Sequence, residues 1–191
     1  HNMAAVKSLC DRGILLEKGK IVHHGIISDV VEKYLLKNLK NNKFELEISD
    51  GVFDISKHKN KNNQDEGVIK VEVLCNSRLS STVYNGSNVE FNIFYNTTRD
   101  LFSAEVGISI QDENNISYIR INNKHLGKEL ILKKGNGRIN FSIYDFPIYN
   151  NRKLFINLYF GDLNYSKYEI LENAVMLNSE VADIYSSCKL P

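Results

Sequence analysis

Residues 89–95 read VEFNIFY, a stretch in which apolar side chains take every second position. The apolar positions are Val89, Phe91, Ile93 and Tyr95. Successive side chains of a β-strand point to opposite faces. The alternation therefore predicts a strand with one face in an apolar core and the other face in water.

The same period of two recurs from residue 67 to near the end of the chain. Turn clusters such as NGS at residues 85–87 and KGNG at residues 134–137 separate the apolar stretches. The predicted strands cover residues 68–75, 89–95, 106–111, 116–122, 138–144, 154–160 and 174–181. Seven short strands without an intervening helical pattern predict a mainly β fold, an antiparallel β-sandwich of immunoglobulin-like or jelly-roll type.

The N-terminal part of the chain has a different pattern. Residues 2–10 place apolar side chains at helical spacing, and residues 14–17 and 21–23 predict two strands of a hairpin. Ser28 is predicted to cap a second helix, whose apolar stripe ends near Asn38. We therefore expect a small α/β unit over residues 1–37.

Residues 38–66 are rich in Asn, Lys and Asp, and their second half contains few apolar side chains. This composition predicts a polar linker, with a short ordered patch around residues 44–55. The expected organisation is an α/β unit over residues 1–37, the linker over residues 38–66 and the sandwich over residues 67–191.

Composition and charge exclude several classes of protein. The chain has 191 residues and a net charge of +1, which favours no nucleic-acid partner. Cys10, Cys75 and Cys188 are widely separated, so we expect neither a disulfide framework nor a zinc site. No apolar run approaches the roughly 18–20 residues that span a bilayer.

The order of motifs in the N-terminal unit resembles the end of an ABC-transporter ATPase domain. The matching features are His1, a helix, Leu9-Cys10-Asp11-Arg12, an apolar strand, Gly19-Lys20-Ile21 and Gly25. The resemblance implies that His1 corresponds to the switch histidine of the H-loop, which contacts the γ-phosphate of ATP in that family. It also implies ATP and Mg²⁺ as cofactors of a longer parent protein. A simpler interpretation of His1 is a disordered terminal residue.

The phosphate-binding elements of that family do not occur in this sequence. It contains no G-x-x-x-x-G-K-[ST] loop, whose backbone amides and lysine hold the phosphates of a nucleotide. We therefore expect the chain by itself to bind no cofactor and to have no enzymatic activity.

An ATPase tail joined by a polar linker to a β-sandwich resembles the ATPase subunit of polysaccharide ABC exporters of the Wzt type. The resemblance includes YNGS at residues 84–87, GISI at residues 107–110, KGNG at residues 134–137 and ENA at residues 172–174. In that family the sandwich recognises the exported O-antigen polymer. The resemblance implies a polysaccharide and a transmembrane permease as partners, a homodimer, and a peripheral location on the cytoplasmic side of the bacterial inner membrane.

The candidate carbohydrate-binding residues lie in the outward phase of two predicted strands. They are Phe155, Asn157, Tyr159, Tyr118 and Arg120. Aromatic rings stack on the apolar faces of sugars, whereas amide and guanidinium groups bind their hydroxyls. We expect this phase to be exposed and to bind glycan. The alternative is that the rings cover a second sheet or a dimer interface.

Other chemistry is less consistent with the sequence. Carboxylates such as Asp112 and Asp162 occupy turn regions, where they favour backbone hydrogen bonds over glycosidase catalysis. His23 and His24 are adjacent in a strand and point to opposite faces, so we expect no metal site.

A rival function is a structural sandwich that dimerises the ATPase or docks the permease without binding glycan. Residues 174–181, expected at a sheet edge, would pair between chains.

Overall fold

The computed structural model describes residues 3–41, 50–56, 66–148, 151–162 and 168–181. Within these ranges, the strands form a two-stranded sheet near the N-terminus and two five-stranded sheets. The two larger sheets contribute side chains to one apolar core. This arrangement confirms the predicted β-sandwich.

The first sheet of the sandwich is antiparallel throughout. Its strands are β3 (Val52–Asp54), β4 (Gly67–Cys75), β5 (Arg78–Leu79), β7 (Val89–Thr97) and β10 (Gly135–Ile143). The order is β10–β7–β4–β3, and β5 pairs with the end of β4. The VEFNIFY stretch thus lies in an interior strand, which explains why its apolar phase is completely buried.

The second sheet includes the candidate binding residues. Its strands are β6 (Thr82–Tyr84), β8 (Ala104–Asp112), β9 (Ser117–Asn122), β11 (Arg152–Asp162) and β12 (Tyr168–Glu180). The order is β6–β12–β11–β8–β9. The pairs are antiparallel except for β6 and β12, which run parallel.

The core forms where the apolar phases of the two sheets meet. Phe91, Ile93, Ile108 and Ile156 are fully buried in one cluster. Each such side chain contributes about 1.5–3 kcal/mol when it leaves water. A hydrogen bond also joins the two sheets, because the Val68 backbone amide donates to the side-chain carboxylate of Glu169 at 3.0 Å.

The seven predicted strands are all present, but the short strands β3, β5 and β6 were not predicted. A strand of two or three residues is too short to show a period of two. It forms because longer neighbouring strands supply hydrogen-bond partners.

Strand β3 corrects the predicted boundary of the sandwich at residue 67. It lies within the predicted linker, in the short ordered patch expected around residues 44–55, and Phe53 and Ile55 belong to the core cluster. The Ile55 amide donates to the Ile69 carbonyl at 2.9 Å, and the Val73 amide donates to the Gly51 carbonyl at 2.7 Å. The sandwich therefore includes these residues. The remaining parts of the predicted linker, residues 42–49 and 57–65, lie outside the described residues.

The predicted edge at residues 174–181 also needs correction. Residues 178–180 pair with β6, and the Asn178 amide donates to the Ser81 carbonyl at 2.8 Å. That end of β12 is covered because the chain segment before β7 folds alongside it. Within the described ranges, residues 174–177 have no strand on the side away from β11.

The N-terminal unit contains α1 (Met3–Leu9), β1 (Arg12–Glu17), β2 (Lys20–Ile26) and α2 (Ile27–Asn41). Helix α2 packs on one face of the hairpin, since a Cβ added at Gly13 would meet Ile27 at 2.8 Å. The hairpin also leaves large apolar side chains about 60% exposed, namely Ile14, Leu16, Ile21 and Ile26. In the part of the chain that the structure describes, no helix is long and apolar enough to cross a membrane.

The role of the segment that contains β3 and the adjacent Ile55 can be tested by replacing Ile55 with Ala. Ile55 is fully buried in the core, so Ile55→Ala is expected to lower the free energy of unfolding by about 2–5 kcal/mol. Leu79→Ala is the matched control, because Leu79 is 47% exposed, and it should have little effect. Urea denaturation measures both variants. A neutral Ile55→Ala would show that this segment is a linker.

Candidate functional site

Strand β11 places its side chains in two layers. Leu154, Ile156 and Leu158 belong to the core cluster. Phe155, Asn157 and Tyr159 take the alternate positions and are not part of that cluster. The predicted assignment of the two phases of this strand is therefore confirmed.

The exposure predicted for the outward phase is wrong at two positions. Phe155 is 5% exposed and Asn157 is 8% exposed, whereas Tyr159 is half-buried. The reason is that β11 lies between β8 and β12 along its length. Gln111 and Met176 flank Phe155 in the register of these strands. These two side chains cover Phe155 on both sides, whereas Tyr159 is opposite Gly107, which has no side chain.

A row of polar side chains crosses this side of the sheet. In the strand register, Arg120 is opposite Ser109, and Ser109 is opposite Asn157. The isoleucines that precede and follow Arg120 and Ser109 pack on the core. Arg120, Ser109 and Asn157 therefore belong to the phase that faces away from the core.

A bulge in β12 adds Asn173 to the row. Ile156 pairs with Val175 and Leu158 pairs with Leu171, so residues 172–174 are all opposite Asn157. Asn173 has φ 51°, a left-handed conformation that asparagine tolerates better than most residues. The Asn157 Oδ1 atom accepts a hydrogen bond from the Asn173 amide at 2.7 Å. The Asn157 side chain thus fixes the bulge.

Side-chain amides extend this row along the sheet. The Gln111 Nε2 group donates to Asn173 Oδ1 at 3.2 Å and to Asn115 Oδ1 at 3.3 Å. We define the polar face as the outward side of the second sheet that carries Arg120, Ser109, Asn157, Asn173, Gln111 and Tyr159. Asn157, Asn173 and Gln111 hold one another in place, so this part of the face can meet a ligand with few changes of conformation.

Two groups of the polar face have unused hydrogen-bonding capacity. The Ser109 side chain is fully buried, and its hydroxyl has no hydrogen-bond partner among the described residues. Arg120 is exposed, and no hydrogen bond or ion pair engages its guanidinium within the described ranges. Buried polar groups are nearly always hydrogen-bonded, so the Ser109 hydroxyl requires an explanation.

Tyr118 does not join the polar face through its hydroxyl. The register between β8 and β9 shifts after Ile110, and the Tyr118 hydroxyl donates to Asp112 Oδ2 at 3.2 Å. Burial raises the pKa of the Tyr118 phenol, and the negative charge of Asp112 raises it further. The phenol therefore remains a neutral donor at physiological pH. The structure thus directs the Tyr118 hydroxyl to Asp112, although Tyr118 lies on the same strand as Arg120.

The partner of Tyr118 is a buried ion pair at the end of the sheet. Asp112 is fully buried and forms a salt bridge of 2.6 Å with Arg152, whose Nη1 also contacts the Tyr118 hydroxyl. The other oxygen of Asp112 accepts hydrogen bonds from the amides of Asn114 and Ile116, both at 2.9 Å. The backbone role expected for this carboxylate is confirmed.

The sequence contained weak signals for the residues that were missed. Ser109 is the polar residue in the alternating GISI stretch, and Asn173 is in the ENA stretch at residues 172–174. Neither pattern shows that the two residues lie in one row, because that depends on strand order.

His1 is outside the described residues. In the described ranges, no group of three His, Cys, Asp or Glu side chains is arranged to hold a metal ion.

Comparison with known proteins gives a structural relative. No family model and no curated protein matches the chain. The crystal structure of the C-terminal domain of Wzt matches with a TM-score of 0.53 and 10% identity, over 61% of this chain and 74% of that chain. At this identity the match shows a shared fold alone.

Two further solved structures match with lower scores. A Niemann-Pick type C2 protein from the Japanese carpenter ant has a TM-score of 0.39 and 11% identity, over 61% of this chain and 92% of that chain. A CARDB domain from Pyrococcus furiosus has a TM-score of 0.34 and 16% identity, over 58% and 84% of the two chains. These scores are too low to support an interpretation.

The ion pair predicts a large effect of Arg152→Met on stability. The substitution leaves Asp112 buried without a cation, which is expected to cost about 3 kcal/mol of unfolding free energy. This is the lower end for buried pairs, because the Arg152 side chain is 27% exposed. Lys153→Met is the matched control on the next, exposed position, and it should be nearly neutral. Equal denaturation midpoints for the two variants would show that the pair contributes little.

Proposed function

We propose that this chain contains the glycan-recognition domain of the ATP-binding subunit of a polysaccharide ABC exporter. The domain binds the polymer to be exported and couples it to transport. The observation that carries the proposal is the polar face with its adjacent Tyr159, on a sandwich that shares the fold of the C-terminal domain of Wzt. The permease and the O-antigen type of the polymer come from the family resemblance.

The chemistry of the polar face suits an extended sugar chain. Its row of polar side chains crosses four strands, which are spaced about 4.8 Å apart, so it spans about 14 Å. Arg120 and Asn157 supply donors for sugar hydroxyls, whereas the Nε2 group of Gln111 already donates to Asn173 and Asn115. Tyr159 supplies a ring on which the apolar side of a sugar can stack. A face whose accessible groups are mainly Arg120 and Tyr159 offers few contacts, which is consistent with weak binding, roughly micromolar to millimolar.

The N-terminal hairpin supports the ATPase part of the proposal. Its exposed apolar side chains include Ile14 and Leu16, and a two-stranded sheet is only marginally stable in water. In an ATPase domain, the remaining layers of that domain would cover this face. The chain would then act as part of a dimeric ATPase, bound from the cytoplasmic side to a permease in the inner membrane.

The alternative function is a module that dimerises the ATPase or docks the permease without binding glycan. The observation in its favour is the side of β12 at residues 174–177, which has no neighbouring strand within the described ranges. Such an edge can pair with a second copy of the chain. A substitution on the polar face should change glycan affinity if the first function is right, and the molar mass of the assembly if the alternative is right.

The glycan proposal can be tested with Tyr159→Ala. Loss of the ring should weaken binding of polysaccharide purified from the source organism by about 1–1.5 kcal/mol, or about 5- to 13-fold in Kd. Calorimetric titration measures the affinity, and light scattering measures the molar mass of the same sample.

Two variants control the Tyr159 experiment. Tyr159→Phe keeps the ring and should bind normally. Tyr144→Ala removes a tyrosine that is 73% exposed in a different part of the chain, and it should also bind normally. If Tyr159→Ala leaves glycan binding unchanged and instead alters the molar mass, the structural alternative is supported and the glycan proposal fails.

The chain by itself is expected to have no nucleotide-binding activity. Without a phosphate loop, one histidine cannot offset the charge of the phosphates. Titration with a fluorescent ATP analogue and a phosphate-release assay should both show no response. Saturable binding with a micromolar Kd would contradict the expectation and would require a nucleotide site elsewhere in the chain.

A further inference from the structure

Arg120 is a cation whose immediate neighbours on the second sheet carry no charge. Its exposed guanidinium has no hydrogen-bond or ion-pair partner in the described part of the chain. Its neighbours in the register and along the two strands are Ser109, Tyr118, Asn122, Gly107 and Gln111, none of them charged at neutral pH. A cation that is not needed to neutralise a neighbour remains available for an external anion.

The carboxylates of the neighbouring strand β8 are already engaged. Glu105 accepts a hydrogen bond from the Asn122 side chain at 2.7 Å. Asp112 is held by Arg152 at 2.6 Å. Glu172 is in the bulge at the opposite end of the polar row, about 14 Å from Arg120 by strand spacing. These residues leave the guanidinium without a fixed internal counter-ion.

The Ser109 hydroxyl is the second observation at this position. It is opposite Arg120 in the register, fully buried, and without a hydrogen-bond partner among the described residues. An unsatisfied buried hydroxyl is destabilising. It is next to the side chain of Arg120, which can turn outward because it is exposed. A ligand oxygen that entered there would satisfy the hydroxyl.

We propose that Arg120 and Ser109 form a subsite for an acidic substituent of the glycan. The planar guanidinium binds two oxygens of a carboxylate or phosphate in parallel, and the Ser109 hydroxyl donates to one of them. The inference rests on the proposed glycan-binding function and specifies its substrate class. The polymer that this face binds carries an acidic group such as a uronate carboxylate or a phosphate ester.

The test uses the full chain and two matched pairs of sugars. The first pair is oligogalacturonate and its methyl ester, which differ only in the charge of the carboxylate. The second pair is mannose 6-phosphate and mannose, which distinguishes phosphate from carboxylate as the preferred anion. Calorimetry gives the affinities, and the NMR signal of the Arg120 Nε–H group reports contact at the subsite.

We expect one acidic sugar to bind at least about 10-fold more tightly than its neutral counterpart, because charged hydrogen bonds are stronger than neutral ones. The difference should shrink between about 0.02 M and about 0.2 M salt, since Arg120 is exposed. Arg120→Gln should abolish the difference. Arg138→Gln is the matched control, because Arg138 is also exposed and lies on the first sheet.

Ser109→Ala separates ligand binding from a structural role. The substitution removes a buried hydroxyl that has no partner among the described residues, so the free energy of unfolding should stay equal or increase. Binding of the acidic sugar should nevertheless weaken several-fold. A structural role for the hydroxyl would instead lower stability and leave the acidic and neutral sugars affected equally.

The outcomes distinguish this inference from the proposed function. Equal affinity for acidic and neutral sugars, or no response of Arg120 to either acidic sugar, would overturn the acidic subsite. If the organism's polysaccharide then still binds and Tyr159→Ala weakens it, glycan recognition remains supported. If that polysaccharide does not bind either, both proposals fail.

Discussion

The structure depends on the central position of β11 in the second sheet. This strand pairs with β8 on one side and with β12 on the other, so its backbone is held from both sides. One phase of its side chains fills the core, and the other phase forms the centre of the polar face. Any change that moves β11 therefore alters the core and the candidate site together.

The central position of β11 also explains why the polar face is closely packed. Because Phe155 and Asn157 are covered, the face is a layer of packed and hydrogen-bonded groups. Asn157 holds the bulge of β12, and the bulge presents the Asn173 side chain to Gln111. Groups that are already ordered lose little entropy when a ligand binds. Half-buried Tyr159 and exposed Arg120 provide the accessible positions at which a sugar chain can make contact.

The sequence predicted those parts of the fold that depend on local alternation. It identified the seven longer strands, the N-terminal hairpin with its helices, and the two phases of β11. It predicted a short ordered patch around residues 44–55 but did not assign β3 to the sandwich, because Phe53 and Ile55 are surrounded by polar residues and their burial requires pairing with β4. Propensity within a short segment cannot indicate such a distant partner.

The candidate site was predicted less well because it depends on strand order. Alternation places Asn157 outward, but only its position between β8 and β12 makes it buried. Tyr118 and Arg120 are two residues apart, and the register shift in β9 sends the Tyr118 hydroxyl to Asp112. Ser109 enters the site because it is opposite Arg120 in the register, a relation that no local pattern contains.

Cross-saturation NMR tests the central claim most directly. Protons of polysaccharide from the source organism are irradiated, and the transfer to backbone amides of the perdeuterated chain is recorded. The account predicts transfer to the strands of the polar face, at residues such as Arg120, Tyr159 and Asn173. Transfer confined to the first sheet, for example around Arg138, or no transfer to either sheet, would contradict it.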